Sequence, residues 1–496
     1  MRRVLVLAVV AVLLTVTIGA TIFIVNNAPP KDKSPSNQPF YVGVTYCGNT
    51  TAEAKQLVDE VKNYTNLFIL DSGPLQNDSA AINQIGNYAV DSGLNFIVYF
   101  GRDSAWLMKT WLDNYNGHWG NHFLGVYFGD EAGGKMLDNE MNFYDQNTQS
   151  AIMKYADGSI SGYKIDANTS VAYEPDGTMI VTTLTNREQA PPLASNGTLI
   201  VTSPENSSAI NPPSFDESYS FTTYYPNGTI TATTYQDSGN PSVMVQDHSN
   251  VPYTYDELWN ARPFKSYDET AQKFVKEINS QIHRAKTFSP QLKFDAFTSD
   301  YALYWYDYLS GYDVVLAQFG WNQSITQDIA LARGAANLQG KDWGAMITWK
   351  YSEPPYLASG DEIYQQMIAA YENGAKYVAV FNYAQDMQGT NGTLQPEHFQ
   401  ALQRFWNQVA QDQTVKCVQT KAEVAFVLPR NYGAGLRNQQ DIVWGLWQPT
   451  QQYQQVWPNL QNALAKYGQK LDIVYDDSAH PAAGKYSQII YWNQTS

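Results

Sequence analysis

The chain has 496 residues, more than one ordinary domain holds, and 44% of them are hydrophobic, enough for a large core. Its net charge is −16, from 31 Lys and Arg against 47 Asp and Glu, and the basic residues do not cluster, which argues against nucleic acid as a partner. Only two cysteines occur, Cys47 and Cys417, so a disulfide framework is absent and one bridge is the most this chain can form within itself.

The N-terminus reads MRRVLVLAVVAVLLTVTIGATIFIVNNAPP. Arg2 and Arg3 precede an uncharged run from Val4 to Val25, and those 22 residues suffice for a helix to cross a bilayer. A cleaved signal peptide has a shorter apolar stretch. Residues 1–26 are therefore expected to be an uncleaved signal anchor, a single pass in the cell membrane. The arginines stay inside and the bulk of the chain is extracellular. Residues 27–39, rich in proline and small polar side chains, read as a linker. Ten N-x-S/T acceptors, from Asn49 to Asn493, suit a surface glycoprotein.

From residue 40 short apolar runs alternate with helical stretches. The first four runs are YVGVTYC (41–47), NLFILDS (66–72), NFIVYFG (95–101) and FLGVYFGDE (123–131). The last four are KFDAFTSD (293–300), YDVVLAQFG (312–320), DWGAMITWKY (342–351) and AKYVAVFNYA (375–384). Continuous rather than alternating apolar runs imply strands covered on both faces. Between them, Ala54, Leu57, Val58 and Val61 share one helical face, as do Ala271, Phe274, Val275, Ile278 and Ile282. Eight strand–helix units predict an α/β fold, a (β/α)8 TIM barrel over residues 40–415. A doubly wound open sheet is the alternative, but no G-x-G-x-x-G follows the first strand.

The pattern breaks over residues 132–265. There PDG (175–177), SNG (195–197) and PNG (226–228) flank β-forming runs such as TMIVTTL, TLIVTS, YSFTTYY and TITATTY. These read as hairpins of a β-rich insertion after strand four. Residues 416–496 read as a small α/β domain, with strands AEVAFVLP, KLDIVYDD and SQIIYWN and a helix closed by Gly468.

In a barrel the functional face lies at the C-terminal ends of the strands. That rim offers Asp71 after strand two, Arg102 after strand three, and Asp130 and Glu131 after strand four. It continues with Asp300 at the end of strand five, Gln318 in strand six, Trp349, Lys350 and Glu353 after strand seven, and Asn382 and Tyr383 after strand eight. Tyr46, Trp305 and Trp321 line the same rim. Carboxylates mixed with aromatic rings suit a sugar, whose C–H faces stack on rings while its hydroxyls meet carboxylates and amides. Glycoside hydrolysis needs two carboxyl groups, one a proton donor and the other a nucleophile or base. Six histidines show no H-E-x-x-H or Cys–His spacing, so neither a metal site nor a cofactor is expected.

The eight-strand pattern, the acid ending strand four and the C-terminal α/β unit resemble the barrel glycoside hydrolases of the β-galactosidase-like clan. The tail VAFVLPRNYGAGLR…IVWGLW…KLDIVYDD is similar to their amidotransferase-like domain. The layout also resembles membrane-anchored archaeal surface proteins, whose DE(P/A)GG motif matches Asp130, Glu131, Ala132, Gly133 and Gly134. The resemblance implies Glu131 as proton donor and Glu353 as its partner; the rim residues themselves offer Asp300 or Asp71 in place of Glu353, and Asp130 as a further catalytic candidate. The chain departs from the clan at Asp130, where an Asn is usual, and at TWKYSEPP, where the nucleophile would end strand seven. The expectation is an extracellular, membrane-anchored glycoside hydrolase-like protein. Asp71, Tyr46, Arg102, Gln318, Trp349, Asn382 and Tyr383 would bind the glycan. The alternative is a non-catalytic cell-surface glycoprotein that binds carbohydrate or forms part of the cell envelope. A barrel lyase using Lys350 in a Schiff base is a more distant reading.

Overall fold

The computed structural model describes residues 39–101, 104–115, 117–134, 143–145, 150–154, 159–165, 168–174, 176–184, 219–235, 242–244, 253–262, 267–287, 293–351, 355–383, 393–409, 421–433 and 451–494. The signal anchor expected over 1–26, and the linker over 27–39 save Pro39, lie outside them. Among the described residues no helix is long and apolar enough to cross a membrane.

Eight strands close into a barrel. The first four are β1 (Tyr41–Tyr46), β2 (Leu67–Leu70), β3 (Asn95–Phe100) and β4 (Phe123–Phe128). An eight-stranded antiparallel sheet follows in the chain. It comprises β5 (Phe143–Asp145), β6 (Ser150–Lys154), β7 (Ile160–Lys164), β8 (Thr169–Tyr173), β9 (Met179–Leu184), β10 (Tyr219–Tyr224), β11 (Ile230–Tyr235) and β12 (Ser242–Met244), paired in chain order. The barrel then resumes with β13 (Asp295–Asp300), β14 (Val314–Phe319), β15 (Asp342–Ile347) and β16 (Tyr377–Val380). All barrel neighbours pair in parallel, β4 with β13 and β16 with β1. The eight apolar runs of the sequence thus become the eight staves of a (β/α)8 barrel. The run TLIVTS lies outside the described residues.

Helices cover the barrel: α1 (Thr51–Val61), α2 (Ser79–Asp91), α3 (Ala105–Tyr115), α4 (Tyr255–Ala261), α5 (Tyr267–Thr287), α6 (Tyr304–Leu309), α7 (Ile325–Gln339), α8 (Gly360–Glu372) and α9 (Pro396–Val409). Side chains alternate across each strand, so two apolar clusters form. Leu67, Ile69, Ile97, Tyr127, Phe297, Val314, Leu316, Met346, Tyr377 and Ala379 fill the interior. Phe68, Leu70, Val98, Phe128, Ala296, Val315 and their neighbours pack outward under the helices. Each large side chain buried this way contributes about 1.5–3 kcal/mol.

A parallel three-stranded sheet stands at the C-terminal end, with β17 (Val424–Leu428) between β18 (Leu471–Tyr475) and β19 (Gln488–Tyr491), served by helix α10 (Gln451–Tyr467). One fully buried guanidinium ties it to the barrel. Arg333 on α7 reaches Asp472 Oδ1 at 2.7 Å, Asn373 Oδ1 at 2.6 Å and the carbonyls of Gln469 and Leu471 at 2.7 and 3.0 Å. The Tyr486 hydroxyl donates to the other Asp472 oxygen at 2.9 Å.

Candidate active site

The period-two alternation sorts the candidates. Residues two beyond an interior side chain also face inward, and the next residue faces the helices. Asp71 follows Ile69 and Gln318 follows Leu316, so both continue the interior rows, and Phe381 continues the row of Ala379. Tyr46, Asp300 and Asn382 lie on the opposite parity.

The contacts agree with that division. Tyr46 is 2% exposed and packs in the outer cluster. Its hydroxyl donates to the Thr50 carbonyl at 2.8 Å and lies 3.1 Å from Glu53 Oε2, holding the start of α1 rather than facing the mouth. The Asn382 side chain accepts from the Leu394 amide at 2.9 Å while its own amide donates to Thr45 Oγ1 at 3.0 Å, which pins the loop after β16. Asp300 is fully buried and accepts from the backbone amides of Gly133, Gly134, Tyr301 and Ala302. Burial pushes its carboxyl up and those amides pull it down. Neither Tyr46 nor Asn382 is placed to bind glycan, and Asp300 is placed to hold backbone rather than to act on a substrate. Arg102 and Glu353 lie outside the described residues.

The sequence Gly133–Gly134 now has a physical reason. These two amides turn onto the Asp300 carboxylate. A Cβ on Gly133 would stand 2.8 Å from Asp300 Oδ2, and one on Gly134 would stand 2.1 Å from the Tyr301 ring. Only glycine lets the chain approach so closely. The turn in turn sets Glu131, whose backbone sits in the left-handed region at φ 53°. A side chain there costs about 1–3 kcal/mol, and such positions cluster at functional sites. The Glu131 amide is held by the Ser299 carbonyl at 2.9 Å.

On the interior side a continuous polar chain joins three strands, β4, β13 and β14. Gln318 Nε2 donates to Glu131 Oε1 at 2.6 Å and to Ser299 Oγ at 2.7 Å. Ser299 Oγ lies 3.1 Å from Asp130 Oδ1 and 2.8 Å from the Tyr127 hydroxyl, which itself donates to Asp130. Burial raises the Tyr127 phenol, and the Asp130 and Asp71 charges add to the effect, so it stays a donor. Asp71 thus acts electrostatically on the same hydroxyl that touches Asp130. Tyr127 and Ser299 belong to the site although the sequence did not single them out. The alternation would have found Ser299, two residues after the interior Phe297.

A cluster of aromatic rings follows β15 and β16, and its Tyr383 feels the Asp71 charge. Trp349 stacks on Tyr356 at 4.6 Å and meets Tyr383 at 5.2 Å and Trp321 at 6.3 Å, with Trp321 42% exposed. The buried Trp349 indole N–H and the Gln318 amide oxygen have no hydrogen-bond partner among the described residues, a donor and an acceptor in reserve. Lys350 is ion-paired with Glu362, its ammonium 2.8 Å from both carboxylate oxygens, and that pairing raises its pKa. A Schiff-base lysine needs the reverse shift. Cys47 is a free, buried thiol, pushed well up by burial and by the Asp71 charge, which keeps it from acting as a nucleophile. Among the described residues, no group of three or more His, Cys, Asp or Glu is arranged to hold a metal ion.

No family model matches the chain, and no curated protein matches it. Among solved structures it is similar to one described as GH5_18 from Streptomyces cattleya in complex with GlcNAc, at 9% identity and a TM-score of 0.46, over 93% of this chain and 100% of that one. The barrel assignment rests on the strand pairing itself.

Proposed function

We propose that this protein is an extracellular, membrane-anchored glycoside hydrolase, with the barrel of residues 40–415 as its working unit and residues 416–496 docked on it. The observation that carries the reading is Glu131. It is an acid held in a left-handed backbone at the end of β4 and clasped by Gln318. Glu131 gives its proton to the glycosidic oxygen as the C–O bond breaks. A second carboxylate, Asp71 or Glu353, either bonds the anomeric carbon, and water then displaces it, with the hydroxide joining that carbon and the proton returning to Glu131, or takes the proton of a water whose hydroxide attacks directly, in which case exchange with solvent removes that proton and restores the one on Glu131. Trp349, Trp321 and Tyr383 stack on sugar faces, and the Gln318 oxygen accepts a sugar hydroxyl.

The test is a screen on chromogenic glycosides and cell-wall polysaccharides, with Glu131→Gln as control. Turnover that survives that change removes Glu131 from the mechanism. Binding without turnover in the parent protein yields the alternative, a non-catalytic surface glycoprotein that holds glycan. Orientation and anchoring are tested by proteolysis of intact cells, which should release residues beyond the linker and leave the N-terminal segment in the membrane.

A further inference from the structure

The β-rich insertion carries a cavity of its own, apart from the barrel mouth. Its volume is about 200 Å³, and its walls are Tyr224, Tyr225, Gly228, Ile230, Tyr253 and Tyr255. Two stretches distant in sequence make it: the hairpin between β10 and β11, and the segment leading into α4. The hairpin tip is fixed by the Tyr225 amide on the Thr229 carbonyl at 2.9 Å, the Gly228 amide on the Tyr225 carbonyl at 2.9 Å, and the Thr229 amide on Asn227 Oδ1 at 2.9 Å. Gly228 takes φ +84°, and no atom lies within 4 Å of where its Cβ would be, so the rim is open there. The opposite wall is equally fixed. Tyr255 donates to the Gly177 carbonyl at 2.8 Å, and Thr254 and Glu257 form a reciprocal cap on α4.

Three features specify the occupant. The lining is four tyrosines with Thr254, Ile230 and Gly228, and no carboxylate or basic side chain is among them to serve as counter-charge to an ion. Tyr225 presents a ring that is 36% exposed at the mouth, a flat apolar face for C–H groups. The Tyr224 side chain is fully buried; its oxygen has the Tyr253 backbone amide as a donor, but its own O–H reaches no acceptor among the described residues. A buried O–H that donates to nothing is costly, and a ligand hydroxyl would relieve that cost. A neutral ring with apolar faces and peripheral hydroxyls meets all three conditions, and the volume admits one such ring.

We propose that this cavity is a second saccharide site, which takes one pyranose unit of a glycan chain whose other end reaches the barrel mouth. The insertion springs from the turn that carries Glu131, so both sites serve one polymer. This inference rests on the glycoside-hydrolase reading, and its test separates the two. Glu131→Gln protein is titrated calorimetrically with cellotetraose, xylotetraose and chitotetraose. At least one should bind at two sites per chain. Tyr225→Ala should weaken only one site, by about tenfold, and Tyr224→Phe, which removes a single oxygen, should weaken the same site. Trp349→Ala should weaken only the other. In proteins that keep Glu131, Tyr225→Ala should lower turnover of the polysaccharide and leave that of a small chromogenic glycoside unchanged. A single site unaffected by both tyrosine changes, or no binding of any of the three probes, overturns the second site. The catalytic reading falls separately, if Glu131→Gln retains parental turnover.

Discussion

Strand β13 ends on two neighbours that serve opposite faces of the barrel wall. Ser299 turns inward and meets Asp130, Tyr127 and Gln318, while Asp300 turns outward and gathers four backbone amides. Both hold the same loop, Asp130 to Gly134, one from each side. The donors differ in kind. Hydroxyls and an amide side chain can rotate to a substrate, whereas backbone amides cannot. The inward group is built to change partners and the outward group to keep them. This is why two acids at the same loop, Glu131 and Asp300, are assigned to catalysis in one case and to scaffolding in the other.

The sharpest way to break the comparison is Glu131→Gln. Turnover should fall by about 10³–10⁴-fold, as expected for a lost general acid, with the urea midpoint nearly unchanged. A large loss of stability instead would make Glu131 a scaffold residue. Asp300→Ala should do the reverse first: it orphans four buried amides and should cost about 3–5 kcal/mol in denaturant unfolding. An Asp300→Ala protein that unfolds like the parent would dissolve the distinction. Gln318→Ala should lower kcat about 10–100-fold by releasing the Glu131 carboxyl, a positioning effect. Its KM should change less, and Gln318→Glu should shift the acid limb of the pH profile. Glu131→Gly should abolish activity while raising stability by about 1 kcal/mol, because glycine carries no penalty at φ 53°.

The smallest effect concerns Asp307, fully buried beside Asp300. Burial first, then the Asp300 charge, holds its carboxyl well above the usual 3.8. A raised folded-state value means the folded protein binds more protons than the unfolded chain. Its contribution is therefore full below about pH 4 and is lost as pH rises towards the folded value. Asp307→Asn should therefore stabilise more at pH 8 than at pH 5. Equal effects at both pH values would show that the group does not hold its proton.

Much of the fold was legible because burial on both faces forces continuous apolar runs, and the eight runs became eight staves. Asp-Gly and Asn-Gly marked the hairpin tips at Gly177 and Gly228, where φ is positive. The site was only partly legible. The hydrophobic runs alone place Glu131, Gln318 and Trp349 at the C-terminal ends of their strands. Tyr46, Asp300 and Asn382 were grouped with them because a strand end names a neighbourhood, not a direction. The direction lies in the parity of the strand, and Phe297, once known to be interior, assigns Ser299 inward and Asp300 outward.

The sequence by itself determined the strand–helix alternation, the acid at the end of the fourth strand and the β-rich interruption after it, since these follow from hydrophobic period and turn chemistry along the chain. Only the tertiary structure decided which strand-end side chains turn inward, that Gln318 clasps Glu131, that Arg333 locks the C-terminal sheet to the barrel, and that four tyrosines line a cavity. Those contacts join residues far apart in the chain, and local propensity carries no information about which distant donor a buried carboxylate will meet.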